Sequence, residues 1–244
     1  MKPKIPIGLS VSLFVVTCGL APAATISFTS AAGPALPDSS VAGVNVSIVI
    51  PATSALFIVP GNSITVTLNN MNHSWVGDLR ATLTGPGGIT RTVFDRPGVP
   101  NSTYGCAGNL APNRTYSFNS SASSLLAVPC NGTIPTGTYR TLSADDATNT
   151  NLSSAWAGFN AAGTTWTLNL ADLAGQDLQP AGWTWTLTIN YVDTPEPATL
   201  LTTAMGFGLL IVGLWRRRAG TPESSPPTDG KNATSDRSSR CFSR

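Results

Sequence analysis

Positive charge is almost missing from the middle of this sequence. Only 11% of the 244 residues are charged, and between Thr25 and Thr194 there is no Lys and no Glu, only eight Asp against five Arg, a net −3. The formal +2 of the whole chain therefore comes from its two ends. A body without a basic face has little with which to neutralise phosphates, so no nucleic-acid partner is expected. Histidine is scarcer still, with His73 standing alone. Any Ser-His-Asp triad would have to use it, with Asp78 five residues on, yet no Gly-x-Ser-x-Gly elbow or subtilisin-type serine marks a nucleophile. No catalytic residue is assigned, and the chain is read as a non-enzyme. Helical periodicity is also wanting in the body.

What is abundant is turn chemistry, with 23 Gly and 19 Pro among many Ser, Thr and Asn. Between the turns, apolar residues alternate with polar or small ones. Val44, Val46, Ile48 and Ile50 do so, as do Ile64, Val66 and Leu68, then Leu79, Ala81 and Leu83, then Trp166, Leu168 and Leu170. The clearest run is Trp183, Trp185, Leu187, Ile189 and Tyr191. Period-two patterning over short runs means half-buried antiparallel strands, hence an all-β sandwich. Residues 101–162 carry fewer apolar pairs and read as long loops or irregular strands. Cys106 and Cys130 lie in that stretch. In an oxidising compartment they are expected to form a disulfide worth roughly 3–3.5 kcal/mol of loop entropy. Two free thiols are the alternative, and a metal pair would lack two further ligands.

The ends read as targeting segments. Lys2 and Lys4, an apolar run from Ile5 to Leu20 and Ala21-Pro22-Ala23 make residues 1–23 a secretory signal peptide, cut before Ala24. Cys18 lacks the preceding residues of a lipidation site and is taken as part of the apolar run. At the far end Ala198 to Trp215 has no charge, spans about 27 Å as a helix and so reaches the lower limit for a membrane span. Arg216, Arg217 and Arg218 follow it and fix the cytoplasmic side. Pro195-Glu196-Pro197 precedes it as an extended, accessible linker. Residues 219–244, rich in Ser, Pro and charge, read as a disordered tail.

Taken together, residues 194–218 resemble the PEP-CTERM sorting signal of Gram-negative bacteria, with motif, apolar helix and basic cluster in order. The resemblance implies recognition at Pro195, Glu196 and Pro197 by an exosortase-like enzyme, after passage through the Sec translocon and cutting by signal peptidase. An inner-membrane-anchored precursor would then give rise to a protein of the cell surface or extracellular matrix. The 26 residues from Ala219 to Arg244 depart from that pattern, which normally stops soon after the basic cluster.

The body, residues 24–193, carries a second resemblance. His73-Ser74-Trp75-Val76-Gly77-Asp78-Leu79 through Pro86-Gly87-Gly88, and Gly163-Thr164-Thr165-Trp166 through Asp172, Gly175 and Asp177 to Trp183-Thr184-Trp185, look like the P domain (P/Homo B domain) that follows the protease domain of kexin- and furin-like convertases. The match is strongest over 54–192 and implies a jelly-roll-like β-sandwich without the protease domain. Gly77 is expected to permit a kink or bulge, Asp78 to accept backbone N–H groups across a turn, Pro86-Gly87-Gly88 to close a hairpin, and Trp166 and Trp185 to anchor the core.

Asp78, Asp172 and Asp177 are the candidate Ca²⁺ ligands, with Asp145-Asp146 as a further acidic pair, although solvated or turn-capping carboxylates are the favoured account of them. Eight Asn-x-Ser/Thr sequons reflect Asn, Ser and Thr richness, with glycosylation left open. Three functions compete. The first is an exported binding or structural β-sandwich that engages exopolysaccharide or another secreted protein. The second is a carbohydrate-binding module with Trp75 or Trp156 as a stacking platform. The third is an accessory or remnant of a subtilisin-like serine endopeptidase.

Overall fold

The computed structural model describes residues 22–193, apart from 54, 100 and 129. The chain divides into two units, Met1–Thr194 and Pro195–Arg244, and every described residue belongs to the first. The expected sorting motif, its apolar helix and arginine cluster, the tail and nearly all of the signal peptide lie outside the described residues. Among the described residues no helix is long and apolar enough to cross a membrane.

Ten strands are described: β1 (Ala24–Thr29), β2 (Val44–Val49), β3 (Phe57–Ile58), β4 (Ile64–Asn69), β5 (Leu79–Thr84), β6 (Thr90–Asp95), β7 (Thr115–Asn119), β8 (Gly137–Arg140), β9 (Thr165–Asp172) and β10 (Thr184–Val192). One helical turn, α1 (Leu152–Ala155), interrupts them. One sheet runs β1-β10-β4-β7-β8, with β3 also on β10, and the other runs β2-β9-β5-β6. The all-β sandwich expected from alternation is therefore the fold. Among the ten described strands every pairing is antiparallel except that of β7 with β8, which run parallel. Their connection passes through Cys130 in the irregular stretch and returns the chain to the same end of the sheet.

Alternation places the core between the sheets. Ile64, Val66, Leu68, Tyr116, Phe118, Trp185, Leu187 and Ile189 point in from the first sheet, and Leu79, Ala81, Leu83, Trp166, Leu168 and Leu170 from the second; all are fully buried. Trp185 of β10 donates its indole N–H to the Val46 carbonyl of β2 at 3.0 Å, a polar stitch from one sheet to the other. Outside, hydroxyls pair across strands, as Ser27 with Thr188 and Thr67 with Ser117, both at 2.8 Å.

One local expectation is corrected. The bulge is not at Gly77. It lies in the β5–β6 pair, where Ala81 faces Phe94 but Thr82 faces Thr92. The extra residue lets two successive side chains, Val93 and Phe94, both enter the core, and Phe94 meets Phe118 of the opposite sheet with ring centroids 4.9 Å apart. Gly77 sits instead in a 3₁₀ turn (Val76–Asp78), where a side chain has no room because the Gly105–Cys106 backbone lies against it, Gly105 Cα at 2.7 Å from where a Cβ would stand. Pro86-Gly87-Gly88 does close the β5–β6 hairpin, with Gly87 at φ 73°. The Cys106–Cys130 disulfide is formed, with Cα atoms 4.9 Å apart.

Candidate functional site

The antiparallel register sets Leu79 of β5 beside Asp172 of β9, so the turn entering β5 and the loop leaving β9 share one end of the sandwich. A backbone bond from Leu173 N–H to the Asp78 carbonyl (2.8 Å) locks them together. The segment after β6 closes the third side, where the Gly77 N–H donates to the Cys106 carbonyl at 3.0 Å.

Beneath this junction lies His73, 1% exposed. The Trp75 N–H donates to its Nδ1 at 3.2 Å, which leaves the proton on Nε2, and Nε2 donates to Asp172 Oδ2 at 3.1 Å. The other Asp172 oxygen accepts from the Ala174 N–H at 3.4 Å. Both ring nitrogens and both carboxylate oxygens are thus occupied inside the fold. His73 pairs with an acid 99 residues away and not with Asp78, its neighbour in sequence.

Above it opens a hollow of about 330 Å³ lined by Trp75, Asp78, Tyr104, Gln176 and Asp177. Trp75 is half-buried and pinned, its indole N–H donating to the Tyr104 carbonyl at 2.6 Å, while Tyr104 is 70% exposed. Asp177 accepts from the Ser74 hydroxyl. Asp78 is 5% exposed, and among the described residues its carboxylate accepts no hydrogen bond and has no cation within 4 Å. The expected capping role for this side chain is therefore corrected: the turn is held by the Asp78 backbone N–H on the Trp75 carbonyl at 3.1 Å, and the carboxylate is left to face the hollow. Burial first, then the charges of Asp172 and Asp177, push its pKa above the ordinary 3.8, with Arg96 and His73 opposing. The Arg96 guanidinium is committed to backbone, donating to the Gly77 carbonyl at 3.2 Å.

The three candidate Ca²⁺ ligands thus fall in one neighbourhood but in different states: Asp172 is consumed by His73, and Asp78 and Asp177 line the hollow. Among the described residues no three His, Cys, Asp or Glu side chains converge as a metal-holding group. The pair Asp145-Asp146 lies apart from the hollow. Asp145 caps its own loop, accepting from Ser143, Ala147 and Thr148, and these bonds hold its carboxyl far below the usual range. Asp146 accepts from the Gly98 N–H at 2.6 Å. Trp156 is corrected as a stacking platform: it is fully buried and meets Trp166 edge-on at 4.9 Å. Tyr104, Gln176 and Arg96 were not singled out from sequence, since they sit in loops with no periodic or motif signal. A second hollow, of about 280 Å³ among Ile26, Phe28, Leu56 and Tyr191, has Asp193 as its sole charge.

No protein-family model matches the chain, and no curated protein matches it. Among solved structures, the complex of the Aeromonas sobria serine protease with its chaperone is similar at 17% identity and a TM-score of 0.38, over 72% of this chain and 28% of that one. The serine protease of Aeromonas sobria on its own is similar at 14% identity and a TM-score of 0.38, over 70% and 28%. This chain therefore corresponds to under a third of the length of either.

Proposed function

We propose that this chain is an exported β-sandwich that works by binding, not by catalysis, delivered by an exosortase-type system to the cell surface or extracellular matrix. The observation that carries the non-catalytic half is the state of His73. It is the sequence's single histidine, it is buried, and both its nitrogens are engaged by Trp75 and Asp172, so neither is free to take a proton from a nucleophile. The pinned Trp75, the exposed Tyr104 and the carboxylates around the hollow offer a binding site in its place. Support for export comes from the sequence pattern at 1–23 and 194–218, and the disulfide suits an oxidising compartment. The P-domain likeness of the body further suggests that it supports or engages another secreted protein, as the remnant or accessory of a serine-type endopeptidase would.

A carbohydrate-binding role is the second reading, favoured by Trp75 and Tyr104 flanking Gln176 and Asp177 at one opening. Fractionation of native cells, with mass spectrometry of the mature C-terminus, tests the proposal. A surface or matrix location and an end near Pro195-Glu196-Pro197 are expected. A cytoplasmic location, or hydrolysis of casein by the pure chain that is lost in a folded His73→Gln variant, would overturn it.

A further inference from the structure

Asp78 poses a problem that the fold itself does not solve. A carboxylate this deeply buried ordinarily collects two or three hydrogen bonds or a counter-ion. Among the described residues no group bonds to it, although Arg96 is near enough to influence it and Trp75 supplies an N–H within the same turn, and its oxygens open onto the hollow. The bonds those groups make go elsewhere, to Gly77, Thr103, His73 and Tyr104. Asp177 adds a second carboxylate on the opposite lip, and Asp172 a third behind. The hollow is therefore lined by carboxylates and walled by two aromatic rings.

Building on the binding role proposed above, we infer that the hollow takes the alkylammonium head of a lysine side chain from a partner protein, Asp78 and Asp177 receiving the charge and Trp75 and Tyr104 flanking the stem. Three observations select this occupant. A bare Ca²⁺ fills six to eight oxygen positions, and among the described residues no three His, Cys, Asp or Glu side chains converge to anchor one. An ammonium needs fewer, since its three N–H donors can divide between two carboxylates and its charge is further favoured by the aromatic faces. A neutral sugar could donate hydroxyls but brings no positive charge to set against the two carboxylates that line the hollow. The body itself has no Lys between Thr25 and Thr194, so the body of a second copy cannot fill the site.

The test uses the purified full chain labelled with 5-fluorotryptophan, which gives six ¹⁹F signals for six tryptophans, that of Trp75 assigned by its loss in Trp75→Phe. Nα-acetyl-lysine amide should shift the Trp75 signal saturably, Nα-acetyl-norleucine amide should not, and Asp177→Asn should weaken the effect at least ~10-fold, the loss of one charge-assisted bond. Because Asp177 is half-exposed and the side chain is not part of the core, that variant is expected to keep the wild-type circular dichroism and melting temperature. An equal response to norleucine, an unaltered response in Asp177→Asn, or silence toward every probe would overturn the inference. So would a response to CaCl₂ alone, which would make the site a metal site. A response to a neutral oligosaccharide such as cellotetraose alone would also overturn it while leaving the binding role standing. Proteolytic activity in the pure chain would sink the binding role without touching this result.

Discussion

Removing the Cys106–Cys130 bond tests whether the irregular half of the sandwich depends on a covalent tie. The bond closes a loop with a sequence separation of 24 that contains all of β7. Opening it restores denatured-state freedom of about 3.5 kcal/mol on the chain-entropy relation. The native state should lose little in return. The Asn109–Gly132 and Ile134–Asn109 backbone bonds, 2.8 and 2.9 Å, hold the same two segments together without the sulfurs. Cys106→Ala with Cys130→Ser suits the sites, since the first is buried and the second exposed. With a urea m-value of roughly 1.5–2 kcal/mol/M, the unfolding midpoint should fall by about 2 M, and reduction of the wild type should give the same shift. Far-UV circular dichroism of the folded variant should not change. A midpoint within about 0.3 M of the oxidised protein's would refute the loop-entropy reasoning. A variant already unfolded in buffer would show that the backbone bonds cannot hold the segments unaided.

Two further outcomes follow from single positions. Gly77→Ala should destabilise the protein by roughly 3 kcal/mol in chemical denaturation, the upper end for overpacking, because the obstacle is the Gly105–Cys106 backbone and not a side chain that can swing away. Asp145 carries a depressed carboxyl pKa, so its stabilisation is present above the unfolded value of 3.8 and is lost as pH falls below it. The melting temperature of Asp145→Asn should accordingly lie below wild type at pH 6 and converge on it in acid, and a gap that widens in acid would reverse that sign.

The sandwich was legible because alternation is a physical record of which face is wet. Trp183, Trp185, Leu187 and Ile189 had to be buried together once every second residue was polar, and they are. The β5–β6 bulge was not legible, since Val93 and Phe94 are adjacent apolar residues that alternation can place on one face only with an inserted residue, and nothing local says which strand yields. The parallel β7–β8 pair escaped for a similar reason. Short strands of four or five residues in a Ser- and Asn-rich stretch carry too little pattern to reveal direction. Gly77 shows the limit of reading a glycine by type: a bulge and a close backbone approach both call for one, and only the position of Gly105 distinguishes them.

The candidate site was legible in its acids and not in its geometry. Asp78, Asp172 and Asp177 could be named from sequence, but their division of labour depends on which one the histidine finds. Sequence proximity favoured Asp78, five residues from His73. The β5–β9 register instead delivers Asp172, and the Trp75 N–H fixes the tautomer that donates to it. That choice has two consequences at once. It removes the sole imidazole from solvent, taking away a general base, and it leaves Asp78 without the partner that sequence would have given it. The missing base and the unpaired carboxylate are thus two results of one strand pairing, and this is why the same junction that argues against catalysis also argues for a ligand.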